Sequence, residues 1–343
     1  MDDAGHGRRG LKPTLTVAIQ RAVAKTWGCD VGDAIPIGGS TGLNLLAGIE
    51  GREVVVRVHR SHVTAARVEA LQCAREGAAS SGVPVACAIR GRGDERCISV
   101  DSCVIEIEEY VASDSKMDSL PRIGAAMPMF ARLHDALDGV NLPTAADDAT
   151  FTNYLAACET TTRTVRGVRR IRTLNANLQL IAAAAEELAH DLEAITAQTF
   201  DALPVQWCHG DFWDNNVLFR GDEVVLVADF GFMGRRPRVD DLALTLYFTL
   251  WELVATGHRE SLDALAELVA SYDAGSTRPL SDAERDALPL ALARQPLWSI
   301  GVWAAELDDP DAVAAHLRGH ELALTIGHDI LGGLDRWREA LRR

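Results

Sequence analysis

The stretch CHGDFWDNNVLF (208–219) runs on into RGDE (220–223) and VVLVADFG (224–231). Two short apolar, β-branched runs around a Gly-Asp turn read as a β-hairpin. A hairpin brings its chain back to the edge it left. Asn216, the first residue of the first strand, and Asp229, just past the second, therefore become neighbours although thirteen positions separate them. Asp211 sits five residues before Asn216, in the loop that feeds the hairpin. One turn thus gathers an amide and two carboxylates at a single edge, and the rest of the chain has to fold around that edge.

Hard oxygen atoms at this spacing suit Mg²⁺, which takes few protein ligands and keeps water and phosphate oxygens. A carboxylate close to the metal pair but distinct from it suits phosphoryl transfer. There the cation neutralises the phosphates while the separate carboxylate orients and deprotonates an attacking hydroxyl. A metal-dependent hydrolase built on His209, Asp211 and Asp229 is the competing reading. It needs more ligands than the sequence places, because His134, His190 and His258 fall on predicted helices without metal spacing.

Helical periodicity covers 14–27 and 63–81, and strand patterns cover 52–60 and 103–111, with a Gly-rich loop at 35–44. A polar, turn-rich stretch at 112–121 follows. Beyond it, 122–139, 174–198, 240–257, 259–272, 282–306 and 311–343 read as helices, interrupted only by the hairpin. The expectation is an α+β fold of two lobes. A small N-terminal β-sheet lobe with one main helix (1–107) precedes a large, mostly helical lobe (108–343), with a hinge at about 106–113.

The net charge of −15 argues against nucleic acid or an anionic membrane as a partner. Seven scattered cysteines with no C-x-x-C pair read as reduced thiols rather than a disulfide framework or zinc site. Neither a signal peptide nor an apolar stretch of membrane length is visible, so a cytoplasmic protein, monomer or homodimer, is expected.

His209-x-Asp211-x₄-Asn216 followed by Asp229-Phe230-Gly231 is the pattern of a kinase catalytic loop and its metal-binding triplet. Gly210 stands where protein kinases carry arginine. With VDDLA (239–243), ARLH (131–134) and EALQCAREGAASSGVPV (69–85), the chain resembles the aminoglycoside phosphotransferase and choline kinase superfamily over about 35–250. The resemblance implies a protein kinase-like fold and ATP or GTP as co-substrate. It implies Asp211 as catalytic base, Asn216 and Asp229 as Mg²⁺ ligands, and Asp241 as a brace for the loop. His209 belongs to the catalytic loop, more to hold it than to carry a proton. EIEEYV (106–111) would be the hinge, with backbone near Glu108 and Tyr110 meeting the nucleobase.

The chain also departs from that pattern. Protein kinases grip the α- and β-phosphates with a strand lysine paired to a helix glutamate. Here VVVRV (54–58) offers Arg57, and Lys12, Lys25 and Lys116 all lie elsewhere. Arg57 is read as the replacement, with Glu69 as its first partner and Glu76 as its second. Gly39, Ser40 and Thr41 could offer backbone N–H groups to phosphates. The missing lysine also admits a nucleotide-binding pseudokinase.

After DFG, FMGRRPRVDDLA is too short for a protein kinase activation segment, which favours a small acceptor. The first expectation is a hydroxyl of an antibiotic (aminoglycoside, peptide or nucleoside type), conferring resistance. The alternative is a homoserine, choline or sugar type of metabolite kinase. Trp213, Asp214 and Trp298 are candidate acceptor contacts, with Glu252, Glu306, Asp308 and Asp309 as further acidic candidates for a polycation.

Overall fold

The computed structural model describes residues 13–39, 42–148, 152–174, 178–257, 261–307 and 309–342. Helix α1 (Val17–Trp27) starts where the Thr16 hydroxyl accepts a hydrogen bond from the Ile19 N–H. Strands β1 (Asp30–Pro36), β2 (Leu43–Ile49) and β3 (Arg52–Val58) follow as an antiparallel meander. Helix α2 (Ala65–Ser80) intervenes before β4 (Ile98–Val100) and β5 (Cys103–Glu109), and the sheet order is β1-β2-β3-β5-β4.

The period of two in VVVRV sets what each face of β3 meets. Val54, Val56 and Val58 join Ile19, Val23, Trp27, Ile105 and Ile107 in a core under α1. Arg57 lies on the opposite face, directly across from Glu106 of β5. Helix α2 covers that polar face and sends Ala70, Leu71, Ala74 and Ala78 into the larger core of the helical part.

Past Glu109 the chain runs through 110–114 into β6 (Ser115–Met117) and α3 (Leu120–Asp138). Then come α4 (Thr160–Leu174), α5 (Gln179–Asp201) and β7 (Val205–Cys208). The expected hairpin is β8 (Asp214–Arg220) and β9 (Glu223–Val227), with β6 paired to its outer edge. Strand β10 (Gly234–Pro237) pairs with β7. Helices α6 (Arg238–Ala255), α7 (Ser261–Gly275), α8 (Asp282–Arg294) and α9 (Pro296–Trp298) build the large lobe, and α9 passes into a π-helical turn at Ser299–Ala304. Helices α10 (Pro310–His316), α11 (His320–Gly332) and α12 (Leu334–Leu341) complete it. The molecule is the α+β arrangement the sequence implied, an antiparallel sheet followed by a larger helical part, with α1 on one face of the sheet and α2 on the other.

Boundaries differ where local chemistry breaks a long periodicity. The 282–306 pattern divides at Pro296, whose ring cannot continue the α-helical ladder. The 311–343 pattern divides at Gly319, in the left-handed region, and again at Gly333. Strand β1 escaped the sequence reading because it is a largely exposed edge without alternation. Among the described residues no helix is long and apolar enough to cross a membrane.

Helix α4 lies so close to the π-helical turn that a Cβ on Gly167 would stand 2.2 Å from the Ile300 carbonyl oxygen. Alanine in a helix interior normally gains up to about 1 kcal/mol over glycine. Here the clash reverses the sign. Gly167→Ala is expected to destabilise the fold by roughly 1–3 kcal/mol, as overpacking of a tight contact does. Chemical denaturation of the variant against the parent protein measures it.

Candidate active site

The loop between β7 and β8 carries the polar cluster, and backbone bonds fold it. The Asp211 carbonyl accepts from Trp213 N (2.9 Å) and the Trp213 carbonyl from Asn216 N (2.8 Å). The Ala228 N–H then donates to the Asn216 carbonyl at 2.7 Å, which closes the hairpin and sets Asp229 beside Asn216. Buried His209 donates from Nε2 to the Ala228 carbonyl (2.9 Å) and accepts at Nδ1 from Asp211 N (3.2 Å). Burial lowers its pKa, and its partners occupy both ring nitrogens. The imidazole ties the loop to the end of the hairpin and keeps no nitrogen for carrying a proton.

Gly210 sits at φ +83°, and its N–H donates to Asp241 Oδ1 at 2.9 Å. The other Asp241 oxygen meets His134 Nε2 at 3.1 Å, and His134 Nδ1 meets the Tyr272 hydroxyl at 2.7 Å. Burial opposes charge on Asp241, but the His134 hydrogen bond together with the charge interactions of its neighbours, Arg236 among them, outweighs it and holds the carboxyl below its usual range. His134, Cys208 and Asp241 are close enough to share an ion, and no other such group occurs among the described residues. Both His134 nitrogens are engaged, so this is a structural brace, and the hydrolase reading gains no ligands from it.

The Asp211 carboxylate accepts from Asn153 Nδ2 (3.0 Å) and from Asn216 Nδ2 (2.8 Å). Burial, then repulsion by Asp229, pushes its pKa up to about 7. Asn153 was not visible in the sequence. It lies on an irregular segment between α3 and α4 that carries no periodic signal.

The chemistry of the next two groups fits a hard cation. Asn216 turns its Nδ2 toward Asp211, which leaves Oδ1 without a donor among the described residues. Asp229, at φ 55°, accepts from Gly231 N through Oδ1 alone. An amide oxygen and a carboxylate with open lone pairs at one hairpin end are what Mg²⁺ takes.

Arg57 and Asp229 line one cavity with Gly42, Asn44 and Phe230. The expected partner of Arg57 is corrected here. Arg57 Nε bonds Glu108 Oε1 at 2.6 Å, whereas Glu69 is exposed on α2 and Glu76 pairs with Arg96. Helix α2 turns Gln72 and Arg75 inward instead, and Arg75 bonds both Glu106 and Glu108. Alternation in EIEE already placed Glu106 and Glu108 on one strand face, a signal the kinase comparison obscured.

Glu108 is also not a hinge residue. It lies inside β5, opposite Val55 and bridged to Ala88. Half-buried Tyr110 is the first residue past the strand. Gly39 takes φ +100° just before Ser40 and Thr41, which lie outside the described residues.

The three acceptor candidates separate. Half-buried Trp213 packs on Phe248 of α6 with centroids 5.3 Å apart. Asp214 pairs with Lys116 at 3.0 Å. Trp298 is buried against His316 in the large core, and it is Trp303, on the π-helical turn, that lines the cavity beside Phe232. Trp303 stands on a π-helical turn, which the 3.6-residue period of an α-helix does not describe.

A family model described as "Phosphotransferase enzyme family" matches residues 34–278. Among curated proteins, a homoserine kinase of Afipia carboxidovorans is 32% identical over 169 residues, covering 49% of this chain and 48% of that protein. A homoserine kinase of Methylocella silvestris is 34% identical over 174 residues, covering 46% and 52%. The chain spans 31% to 52% of the length of these curated homoserine kinases. Among solved structures, an amicoumacin kinase superposes with TM-score 0.66 at 12% identity, over 89% of this chain and 92% of that one. A microcompartment-associated aminopropanol kinase gives 0.61 at 14%, over 96% and 99%. An aminoglycoside phosphotransferase of Alicyclobacillus acidocaldarius gives 0.59 at 17%, over 97% and 99%.

A Cβ at Gly210 would stand 2.2 Å from the Phe232 carbonyl oxygen on a left-handed backbone. Gly210→Ala is expected to cost roughly 2–4 kcal/mol, combining backbone strain with overpacking. Thermal melts, with near-ultraviolet circular dichroism for Trp213 packing, check it.

Proposed function

The chain belongs to the phosphotransferase enzyme family, and we propose that it is a kinase that moves the γ-phosphate of a nucleoside triphosphate onto the hydroxyl of a small amino alcohol or hydroxy amino acid. The observation that carries this reading is the Asp211 carboxylate, held by Asn153 and Asn216 beside the Asn216–Asp229 edge.

Asp211 accepts the proton of the acceptor hydroxyl as its oxygen forms a bond to the γ-phosphorus. The bond to the β–γ bridging oxygen breaks, and a nucleoside diphosphate leaves. Arg57, charged at any working pH, takes the remaining phosphates. Asn216 and Asp229 would hold Mg²⁺, which when bound neutralises phosphate charge. A nucleobase would be met by backbone after Glu109, near Tyr110.

Charge pairing supports a smaller acceptor. Three of the acidic side chains that could have met a polycation are engaged by the protein itself. Asp214 faces Lys116, Glu306 faces Arg166 at 2.9 Å, and Asp309 caps α10. Asp308 lies outside the described residues. Glu252 stays near Asp214, and burial, then that neighbour, raises its pKa. The cavity beside Asp229 is lined by Arg57, Arg60 and Arg67 as well as by Asp148 and Asp229, so it is not a purely acidic surface. The homoserine kinases among the relatives support the same, smaller class.

A nucleotide-turnover screen over homoserine, amino alcohols, choline, sugars and aminoglycoside, peptide and nucleoside antibiotics tests the proposal. Turnover is expected with a hydroxy amino acid or amino alcohol. Turnover only with an antibiotic would return the resistance reading. Asp211→Asn should lower kcat by at least about 10³-fold, given the usual weight of a positioned base with its orienting role.

The pH dependence has a definite sign. A base whose pKa is raised to about 7 is lost as pH falls through that value. Below the inflection kcat/KM is expected to fall about tenfold per pH unit. Raising Mg²⁺ should move the inflection lower, since charge at Asp229 accounts for the second cause of the shift. Profiles at two Mg²⁺ concentrations measure both effects.

A further inference from the structure

Two glutamates on one strand face create a charge problem in the small lobe. Glu106 and Glu108 are both buried, only 3% exposed each. Glu106 stands directly across the sheet from Arg57. Two buried carboxylates need two cations, because an unpaired buried charge is strongly destabilising. If Arg57 served both, its guanidinium would be drawn inward and lost to the cleft.

The geometry avoids this. Arg57 gives Nε alone to Glu108, and its two terminal nitrogens have no carboxylate partner among the described residues. Arg75, 7% exposed on α2, bonds Glu106 through one terminal nitrogen and Glu108 through the other. Gln72 Nε2 donates to Glu106 at 2.8 Å, and His59 Nε2 meets the same carboxylate at 3.0 Å. The helix thus supplies a cation where protein kinases supply a glutamate, and the strands supply the anions.

We propose that Arg75 is a positioning residue for nucleotide binding. It neutralises Glu106 and Glu108 from behind, so that the terminal nitrogens of Arg57 stay in the cleft for the nucleotide phosphates. This rests on the kinase reading, because a phosphate is what Arg57 is kept for.

The test is a rescue. Arg75→Met should raise the nucleotide KM about tenfold or more, on the scale of couplings within one ion-pair network, with kcat and acceptor KM changed less than about threefold. Adding Glu106→Gln removes the surplus carboxylate and leaves the Arg57–Glu108 pair intact. R75M/E106Q should return the nucleotide KM to within about threefold of the parent, a coupling of opposite sign to the first loss. A purely structural role predicts the reverse, with the second substitution adding to the damage. Thermal melts accompany each variant. Should Arg75→Met not fold, Arg75→Lys and the double variant decide: lysine cannot span both carboxylates and should give an intermediate KM.

An unchanged nucleotide KM in R75M, or no rescue in R75M/E106Q, overturns the proposal. Calorimetric titration with Mg²⁺ and a non-hydrolysable nucleotide separates it from the kinase reading. The same loss and rescue in Kd without turnover of any acceptor would keep this inference and sink the other. A parent protein that binds no nucleotide overturns both.

Discussion

The buried Asp241 carboxylate holds the loop between β7 and β8 in place. It accepts the Gly210 N–H on one oxygen and meets His134 on the other, and His134 reaches Tyr272. Those contacts join the loop to α6, α3 and α7. Thr245, one turn further along α6, adds a hydrogen bond to the Phe212 carbonyl at 2.7 Å, and Phe212 stacks on Phe130 with centroids 4.1 Å apart. A loop rich in polar groups would otherwise unfold into water, since its backbone forms little regular structure. The helical lobe supplies rigidity by surrounding it with apolar contacts and giving its few buried dipoles fixed partners. Only then does the hairpin deliver Asp229 to the same place in every molecule.

The small lobe meets the opposite demand. It must keep charges buried yet leave one of them available. It does so with a chain of alternating signs from Glu106 through Arg75 and Glu108 to Arg57 at the cleft, and His59 hydrogen-bonds the Glu106 end. Helix α2 joins the two systems. Arg67, in its first turn, donates to the carbonyls of Gly231 (3.0 Å) and Met233 (2.8 Å), so the helix that supports Arg57 also grips the segment after Asp229. Movement of α2 would therefore be felt both at Arg57 and at the segment after Asp229.

Legibility followed the range of the interaction. The β8–β9 hairpin was readable because turn chemistry and β-branched runs act within a few residues. The placement of Asp211, Asn216 and Asp229 follows from that short-range geometry. Arg57 was readable as the one cation within VVVRV (54–58), but its partner was not: Glu69 has suitable spacing on α2 yet faces water, because Arg75 and Gln72 occupy the inward stripe. Trp303 was not legible as a cavity residue, because the π-helical turn that carries it departs from the α-helical period. Asn153 had no local signal, since a long irregular connection brings it to Asp211.

The sequence by itself determined the pattern of hydrogen-bonding groups around one hairpin, the two-part α+β organisation and the acidity of the surface. These depend on neighbours along the chain or on sums over it. Tertiary structure alone decided which charges answer one another. It paired Asp214 with Lys116 and Glu306 with Arg166, and set Arg57 against Glu108 with Arg75 behind. Ion pairing and desolvation act through space, across 98 to 140 positions for the first two pairs, and no period in the sequence encodes them.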